Sequence, residues 1–516
     1  MLKKIRVVSA AIFFTMITLL FLDFTGTLHA WFGWMAKIQF LPAVLSLNVA
    51  VVALLVILTL VFGRIYCSTI CPLGVMQDII AWAGKKSKKN RYSYSPAKKV
   101  LRYSVLAVFV AATVAGIGSI TALLAPYSSF GRIASNLLAP LYAWGNNLLA
   151  YFAERAESYM FYSTEVWIKS LPVFVLAVVT FVVIAVLSWK WGRTYCNTIC
   201  PVGTVLGVLA KFSWFKPVFD KSKCGGCTLC EKNCKAACIN TAERSIDYGR
   251  CVACGECMEV CKKGAMKYMH VSKADAACQA ADTAAADNAV SANGAKSEAC
   301  AASDAGRRAF IAATAVVASS SVLKAQQTKV DGGLATILDK KVPARKTPIV
   351  PPGAMSLKNM AQHCTGCQLC VSVCPNGVLR PSTALDTLMQ PESSYERGYC
   401  RPECNKCSEV CPAGAIRPIS VEDKSSTQIG HAVWVKENCI IVSDGVDCGN
   451  CARHCPVGAI KMVPMPTENK VSNKRLVRIP AVDEERCIGC GACENLCPSR
   501  PFSAIYVEGH QVHKTI

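Results

Sequence analysis

Thirty-one cysteines stand in the 516-residue chain, and 24 of them fall into six runs of four. Cys224, Cys227, Cys230 and Cys234 read C-x2-C-x2-C-x3-C. The same spacing recurs at Cys251, Cys254, Cys257 and Cys261, at Cys364, Cys367, Cys370 and Cys374, and at Cys487, Cys490, Cys493 and Cys497. Cys400, Cys404, Cys407 and Cys411 carry one extra residue in the first gap. In Cys439, Cys448, Cys451 and Cys455 that gap is stretched to eight. Structural zinc also uses C-x2-C pairs, but it needs four ligands and has no use for a third evenly spaced cysteine before C-x3-C. A disulfide framework belongs to small secreted domains, which this chain is not. The runs instead predict six 4Fe–4S clusters. A tight loop presents three sulfurs to one cluster, and the fourth cysteine, in the following helix, points to its neighbour. The expected ligand sets are Cys224, Cys227, Cys230 with Cys261; Cys251, Cys254, Cys257 with Cys234; Cys364, Cys367, Cys370 with Cys411; Cys400, Cys404, Cys407 with Cys374; Cys439, Cys448, Cys451 with Cys497; and Cys487, Cys490, Cys493 with Cys455.

Cluster modules of this kind are polar, yet 52% of the chain is hydrophobic, only 17% is charged and the mean hydropathy is +0.32. The apolar residues concentrate at about 7–24, 39–63, 103–125 and 171–189, each near the ~20 residues that span a bilayer. The expected fold is therefore a four-span α-helical membrane bundle carrying α+β modules of bacterial-ferredoxin type. The net charge is +22. Residues 329–516 hold 22 Lys and Arg against 18 Asp and Glu, so the remaining +18 lies beside the apolar stretches. That distribution fits cytoplasmic loops, not a nucleic-acid surface. Lys3, Lys4 and Arg6, and the basic segment from Arg64 to Arg102, place both ends of the bundle in the cytoplasm. Lys37, and then Arg132, Arg155 and Lys169, fall in outer loops.

Residues 63–74 (GRIYCSTICPLG) and 192–203 (GRTYCNTICPVG) are an internal repeat. The bundle reads as a duplicated two-span unit. Cys67, Cys71, Cys196 and Cys200 sit in these C-x3-C-P motifs, at the inner ends of spans two and four. They are candidates for a seventh iron or iron–sulfur centre, with a redox-active thiol pair or simple packing as the alternatives. Pro72 and Pro201 are placed to start helices that run along the surface. Arg64 and Arg193 flank the motifs, either to contact the centre or to snorkel to the inner surface. Cys238, Cys278 and Cys300 read as incidental.

The domains follow: residues 1–215, the membrane part; 216–270, a two-cluster module facing the cytoplasm; 271–305, a linker with 15 alanines; 306–325, with Arg307 and Arg308 before an apolar run; and 326–516, the four-cluster domain. As a helix, the run 309–323 would be about 22 Å long, short of a ~30 Å bilayer core. It suits a signal-like segment, or a short fifth span, and no A-x-A cleavage site follows.

The bundle, its paired C-x3-C-P motifs and its trailing two-cluster module resemble the NapH family of membrane quinol dehydrogenase components. Residues 300–516 resemble the NapG/MauM family, whose members carry a twin-arginine export signal and four clusters. The chain resembles a fusion of the two, although Gly306 before the arginines and Ile311-Ala312 after them depart from the usual signal. The resemblance implies a quinol dehydrogenase of the bacterial inner membrane. It would draw on the quinone pool and donate to a periplasmic reductase, with nitrate reductase the leading candidate. It also gives Arg307 and Arg308 the role of an export signal, against a cytoplasmic helix joining two domains. Related C-x3-C-P proteins of the NosR and CcoG types imply the alternative of an accessory donor for metalloenzyme maturation.

Quinol supplies two electrons and two protons, whereas a 4Fe–4S cluster takes one electron. His29, in HAWFGW, is the histidine near a span end and a candidate proton acceptor; Trp31 and Trp34 beside it fit an interfacial belt. No histidine pair lies within the spans and no C-x-x-C-H occurs, so no haem is expected. The sequence offers no evident conductor between two cytoplasmic and four external clusters.

Overall fold

The computed structural model describes residues 2–516 except 24, 89–91, 159, 221–222, 271–337 and 466–477. The linker 271–305, Arg307, Arg308, the apolar run 309–323, Cys278 and Cys300 lie outside the described residues.

Two helices, Lys3–Leu22 and Leu171–Trp191, are long and apolar enough to cross a membrane, where four were expected. The other two apolar stretches are broken. The first stops at Leu45. Leu47 then takes a positive φ of 54°, and Asn48 caps the 14-residue helix Val49–Phe62 by accepting the Val51 N–H at 3.2 Å. The third stretch ends as the helix Lys99–Ala115 at Gly116, whose φ of 76° is a left-handed stop, and resumes as Gly118–Leu124. Hydropathy alone does not register such breaks, because asparagine and glycine interrupt the backbone without adding charge.

The two long helices bury little of their apolar surface against the protein, 28% and 22% of the respective windows. Ile5, Val8 and Ile12 on one, and Val175, Val179 and Val186 on the other, point outward. The core of a water-soluble bundle would cover them. Inward, Ile17, Leu20 and Phe21 pack with Tyr66, Leu73 and Phe130.

The segment expected as an outer loop instead folds into the bundle. Pro126–Ile133 is a helix with all eight residues buried, and it continues through a π-turn, Ala134–Leu138, into Ala139–Arg155. Arg132 is fully buried there. Counting Lys and Arg misassigns it because a guanidinium can be carried inward when protein groups surround it. Pro72 and Pro201 do begin helices, Pro72–Lys88 and Pro201–Ala210. These pack into the bundle instead of along its surface, burying Leu73 and Gln77, and Val202 and Leu206.

Residues 215–270 form a small module closed by antiparallel strands Phe215–Phe219 and Met266–His270, with Phe215 opposite His270. From residue 338 onward, the larger domain is built around Thr427–Trp434 paired with Ile505–Thr515, and Ile460–Pro464 paired with Arg478–Val482. The two cap opposite ends of the bundle. Lys3, at the start of the first helix, pairs with Glu259, and Arg193 N donates to Lys235 O at 2.8 Å. Beyond the other end of that helix, Lys406 Nζ donates to Thr25 O at 3.2 Å; nearby, Lys169 Nζ donates to Val371 O at 2.6 Å. The 21-residue first helix separates them by about 30 Å.

Candidate iron–sulfur centres

The regular cysteine runs share one backbone device. In each, the residue before the second cysteine and the residue after it have positive φ: Gly226 and Thr228, Ala253 and Gly255, Gly366 and Gln368, Gly489 and Gly491. Two left-handed residues curl the loop so that successive thiols face one space. A short helix then carries the third cysteine, as in Leu229–Lys232 and Glu256–Val260. The two irregular runs lack this device: Asn405 and Gly449 have negative φ, and Glu403 and Asp447 are not left-handed either.

A cavity is lined by Cys251, Cys254, Cys257 and Cys234. A second is lined by Cys487, Cys490, Cys493 and Cys455. Each joins three thiols of one run to the last of another. Elsewhere Cys370 faces Cys364, Cys367 and Cys411. Cys407 faces Cys400, Cys404 and Cys374. Cys451 lies near Cys448, Cys497 and Cys439. Cys230 faces Cys224 and Cys227, while Cys261 accepts the Ala265 N–H at 3.2 Å.

Among the described residues, no three His, Cys, Asp or Glu side chains converge tightly enough for a single metal ion. The donor set fits a cluster. Burial pushes the Cys254 thiol up to about 11 and Cys367 and Cys490 up to about 12, so a bare thiolate is disfavoured there. A polycationic iron centre reverses that balance. Backbone N–H groups point at the sulfurs, from Ala459 to Cys455 at 3.2 Å and from Ala504 to Cys497 at 3.3 Å, and such bonds tune cluster potentials.

The two C-x3-C-P repeats meet. Cys67, Cys71, Cys196 and Cys200 are all buried in one core, and Cys200 faces the other three. Each repeat braces the other. Arg64 donates to Cys196 O at 3.3 Å and Asn197 Oδ1 at 2.9 Å; Arg193 donates to Cys67 O at 2.6 Å. A side chain at Gly74 would come within 2.8 Å of the Arg193 guanidinium, and one at Gly203 within 2.8 Å of that of Arg64. Both arginines are fully buried, so neither snorkels. Asp78 receives Arg193 at 2.7 Å, Arg6 at 3.1 Å and Lys235 at 2.9 Å. Burial opposes ionisation of Asp78, but Arg193 and Lys235 outweigh it and hold the carboxyl well below its usual range. Arg102 is buried nearby and donates to Gly203 O at 3.1 Å and Gly249 O at 3.2 Å. Cations thus outnumber carboxylates around the four thiols, a costly excess unless an anionic group lies among them.

One helix separates this tetrad from the larger domain. On Pro126–Ile133, Ser129 and Arg132 face Tyr195, which itself lies against Cys196 and Cys200. The opposite face turns Tyr127 toward Cys367 and Cys411, and Gly131 abuts the Cys367 carbonyl with no room for a side chain. Asn136 donates to Gln368 Oε1 at 2.9 Å. Arg132 donates to Ala122 O and Ser129 Oγ, and its Nε has no partner.

His29 is held by Asp23 at 3.2 Å. Burial pushes its imidazole below the usual range, against the pull of Asp23. Trp31 and Trp34 project outward. Cys238, read from the sequence as incidental, lines the cavity of Cys251, Cys254 and Cys257.

The family described as "4Fe-4S binding domain" matches residues 46–90 and 173–222, the segments of the two C-x3-C-P repeats, and a second of that description matches 244–267. "4Fe-4S dicluster domain" families match 363–416 and 444–500. The chain is 26% identical over 231 residues to the ferredoxin-type protein NapH of Escherichia coli, covering 43% of this chain and 67% of that one. It is 31% identical over 167 residues to the methylamine utilization ferredoxin-type protein MauM of Methylobacillus flagellatus, covering 32% of this chain and 70% of that one. It is also 28% identical over 224 residues to an uncharacterized protein of Methanocaldococcus jannaschii, covering 42% of this chain and 69% of that one. No solved structure matches. With grouped thiols in both modules, 4Fe-4S families matching across the chain and these relatives, this chain belongs to the NapH/MauM-like ferredoxin-type iron–sulfur proteins.

Proposed function

We propose that the chain is a quinol dehydrogenase of the bacterial inner membrane that delivers electrons to a periplasmic reductase, with nitrate reductase the leading candidate. The observation that carries this reading is the alignment of cysteine groups from one end of the bundle to the other. In the inner module the Cys251 group lies against the bundle: Arg64 and Arg102 both bond Gly249 O, two residues before Cys251. The tetrad follows, then the single helix Pro126–Ile133, then Cys367. In the outer domain, Cys370 faces Cys407, Cys400 N donates to Cys490 O at 2.9 Å, and Cys493 faces Cys451.

Iron–sulfur clusters, when bound, take up and release single electrons with little change of geometry. The protein's own groups supply the rest. The thiols hold each site, buried N–H donors and cations set its potential, and the two outward apolar helices seat the bundle in lipid. Four spans, two of them broken, with the N-terminus inside and residues 338–516 outside, agree with the Lys and Arg distribution. Broken helices are tolerated at membrane depth when protein surrounds the break. The tetrad reads as a seventh centre because its cationic surroundings call for an anionic group. His29, near-buried beside Asp23, is the candidate acceptor of a quinol proton.

The test is anaerobic addition of a short-chain quinol to the purified, iron-loaded protein. Bleaching of the iron–sulfur absorbance, reversed by an added oxidant, is expected. A protein that dithionite bleaches but quinol does not would overturn the dehydrogenase reading and favour an accessory role fed by another donor.

A further inference from the structure

The first module holds a fifth thiol at a four-thiol site. Cys238 is 2% exposed, its sulfur lies 3.5 Å from Cys234 Sγ, and it also hydrogen-bonds Cys251. A buried cysteine usually packs as a small apolar side chain. Here its partners are two sulfurs of one cavity, which it lines together with Cys251, Cys254, Cys257 and Cys234.

The chain supplies its own comparison. Cys238 stands four residues after the last cysteine of its run. At the same position four of the other runs carry Ala265, Val378, Ala415 and Ala459, all buried, and the run ending at Cys497 carries Pro501. The backbone there already meets the ligand sulfur. Ala265 N donates to Cys261 Sγ and Ala459 N to Cys455 Sγ, each at 3.2 Å, and Cys238 N likewise donates to Cys234. In the runs ending at Cys234, Cys261 and Cys455 the fold thus brings this position to the edge of the cluster site, and only in the first of them does it carry a thiol. Ala237, at φ 50°, makes the turn that brings Cys238 back toward Cys234.

We propose that Cys238 is an exchangeable fourth ligand for the cluster of Cys251, Cys254 and Cys257, able to replace Cys234. The inference rests on reading those cysteines as cluster ligands. In the exchange, the Cys238 sulfur releases its proton as it binds iron, and the departing Cys234 sulfur takes one up. No electron is gained or lost. Because hydrogen bonds to ligand sulfurs help set a cluster's potential, the two ligation states would differ in potential at the site nearest the tetrad.

The experiment compares the full-length protein with Cys234→Ala, Cys238→Ala and the double variant, by iron content and by EPR of the oxidised samples. Both single variants should keep the parent's iron and show no three-iron signal. The double variant should lose one iron per chain and show that signal. A three-iron signal in Cys234→Ala as strong as in the double variant overturns the proposal. A double variant with the parent's iron and spectrum overturns the cluster reading itself, and the proposal with it. Should Cys234→Ala not accumulate, the neighbouring run serves: Cys261→Ala should show the three-iron signal, and Cys261→Ala/Ala265→Cys should abolish it. Persistence of the signal would equally sink the idea.

Discussion

Asp78 shows how much a single carboxylate carries. Arg6, Arg193 and Lys235 converge on it, and Arg193 reaches on to the Cys67 carbonyl. Asp78→Asn leaves these cations buried without their counter-charge. Removing one partner of a buried pair costs about 3–5 kcal/mol, so we expect a large fall in the detergent-solubilised melting temperature. Gly203→Ala should act through sterics: its methyl meets the Cys196 carbonyl and the Arg64 guanidinium. Overpacking of this kind costs about 1–3 kcal/mol, and a parallel melt with Gly74→Ala should give a similar loss, since the repeats mirror each other. At the far end, burial, reinforced by His510, holds His513 down to about 4. The unfolded chain takes up this proton below the ordinary 6.5, while the folded strand refuses it until about 4. Stability of the larger domain should therefore be unaffected above that window and fall by roughly 3 kcal/mol as the pH drops through it. His513→Leu should abolish that part of the loss in melts recorded on either side of the window.

At the scale of elements, the helix Pro126–Ile133 decides how the two halves communicate. It is eight residues long, about 12 Å, and its opposite faces meet Tyr195 and Cys367. Gly131→Leu would force a side chain between this helix and the Cys367 loop. Iron content should be retained, while quinol-driven bleaching of the outer clusters slows severalfold; equal rates in variant and parent would remove this helix from the route. The helix was not legible in the sequence. Its small polar residues and Arg132 leave it with little overall hydropathy despite Tyr127, Phe130 and Ile133, and an arginine in a short connecting segment counts as a loop charge until surrounding carbonyls and hydroxyls are seen to receive it.

At the scale of the molecule, six cluster sites and the tetrad should hold distinguishable iron. Replacing Cys67, Cys71, Cys196 and Cys200 with alanine should lower the iron per chain; an unchanged count would leave the tetrad as packing. A reporter active only outside the cytoplasm, fused after Ile516, should be active in the parent and silent in Arg307→Lys/Arg308→Lys. A cytoplasmic result for the parent would place all six sites inside.

The division between sequence and structure follows from range. Cysteine spacing acts over a few residues, so local backbone geometry forces Cys251, Cys254 and Cys257 around one space wherever the run occurs. The GRxYCxTICPxG repeat likewise carries its own stop, start and bracing residues. By itself the sequence therefore determined the cluster modules, the duplication and the apolar stretches. Only the tertiary structure decided that Arg64 and Arg193 cross between repeats, that Arg132 is buried, that two apolar stretches are broken, and that Cys238 touches Cys234. Each of these depends on partners brought together from distant parts of the chain or on a backbone turn, and neither leaves a periodic mark in the residues themselves.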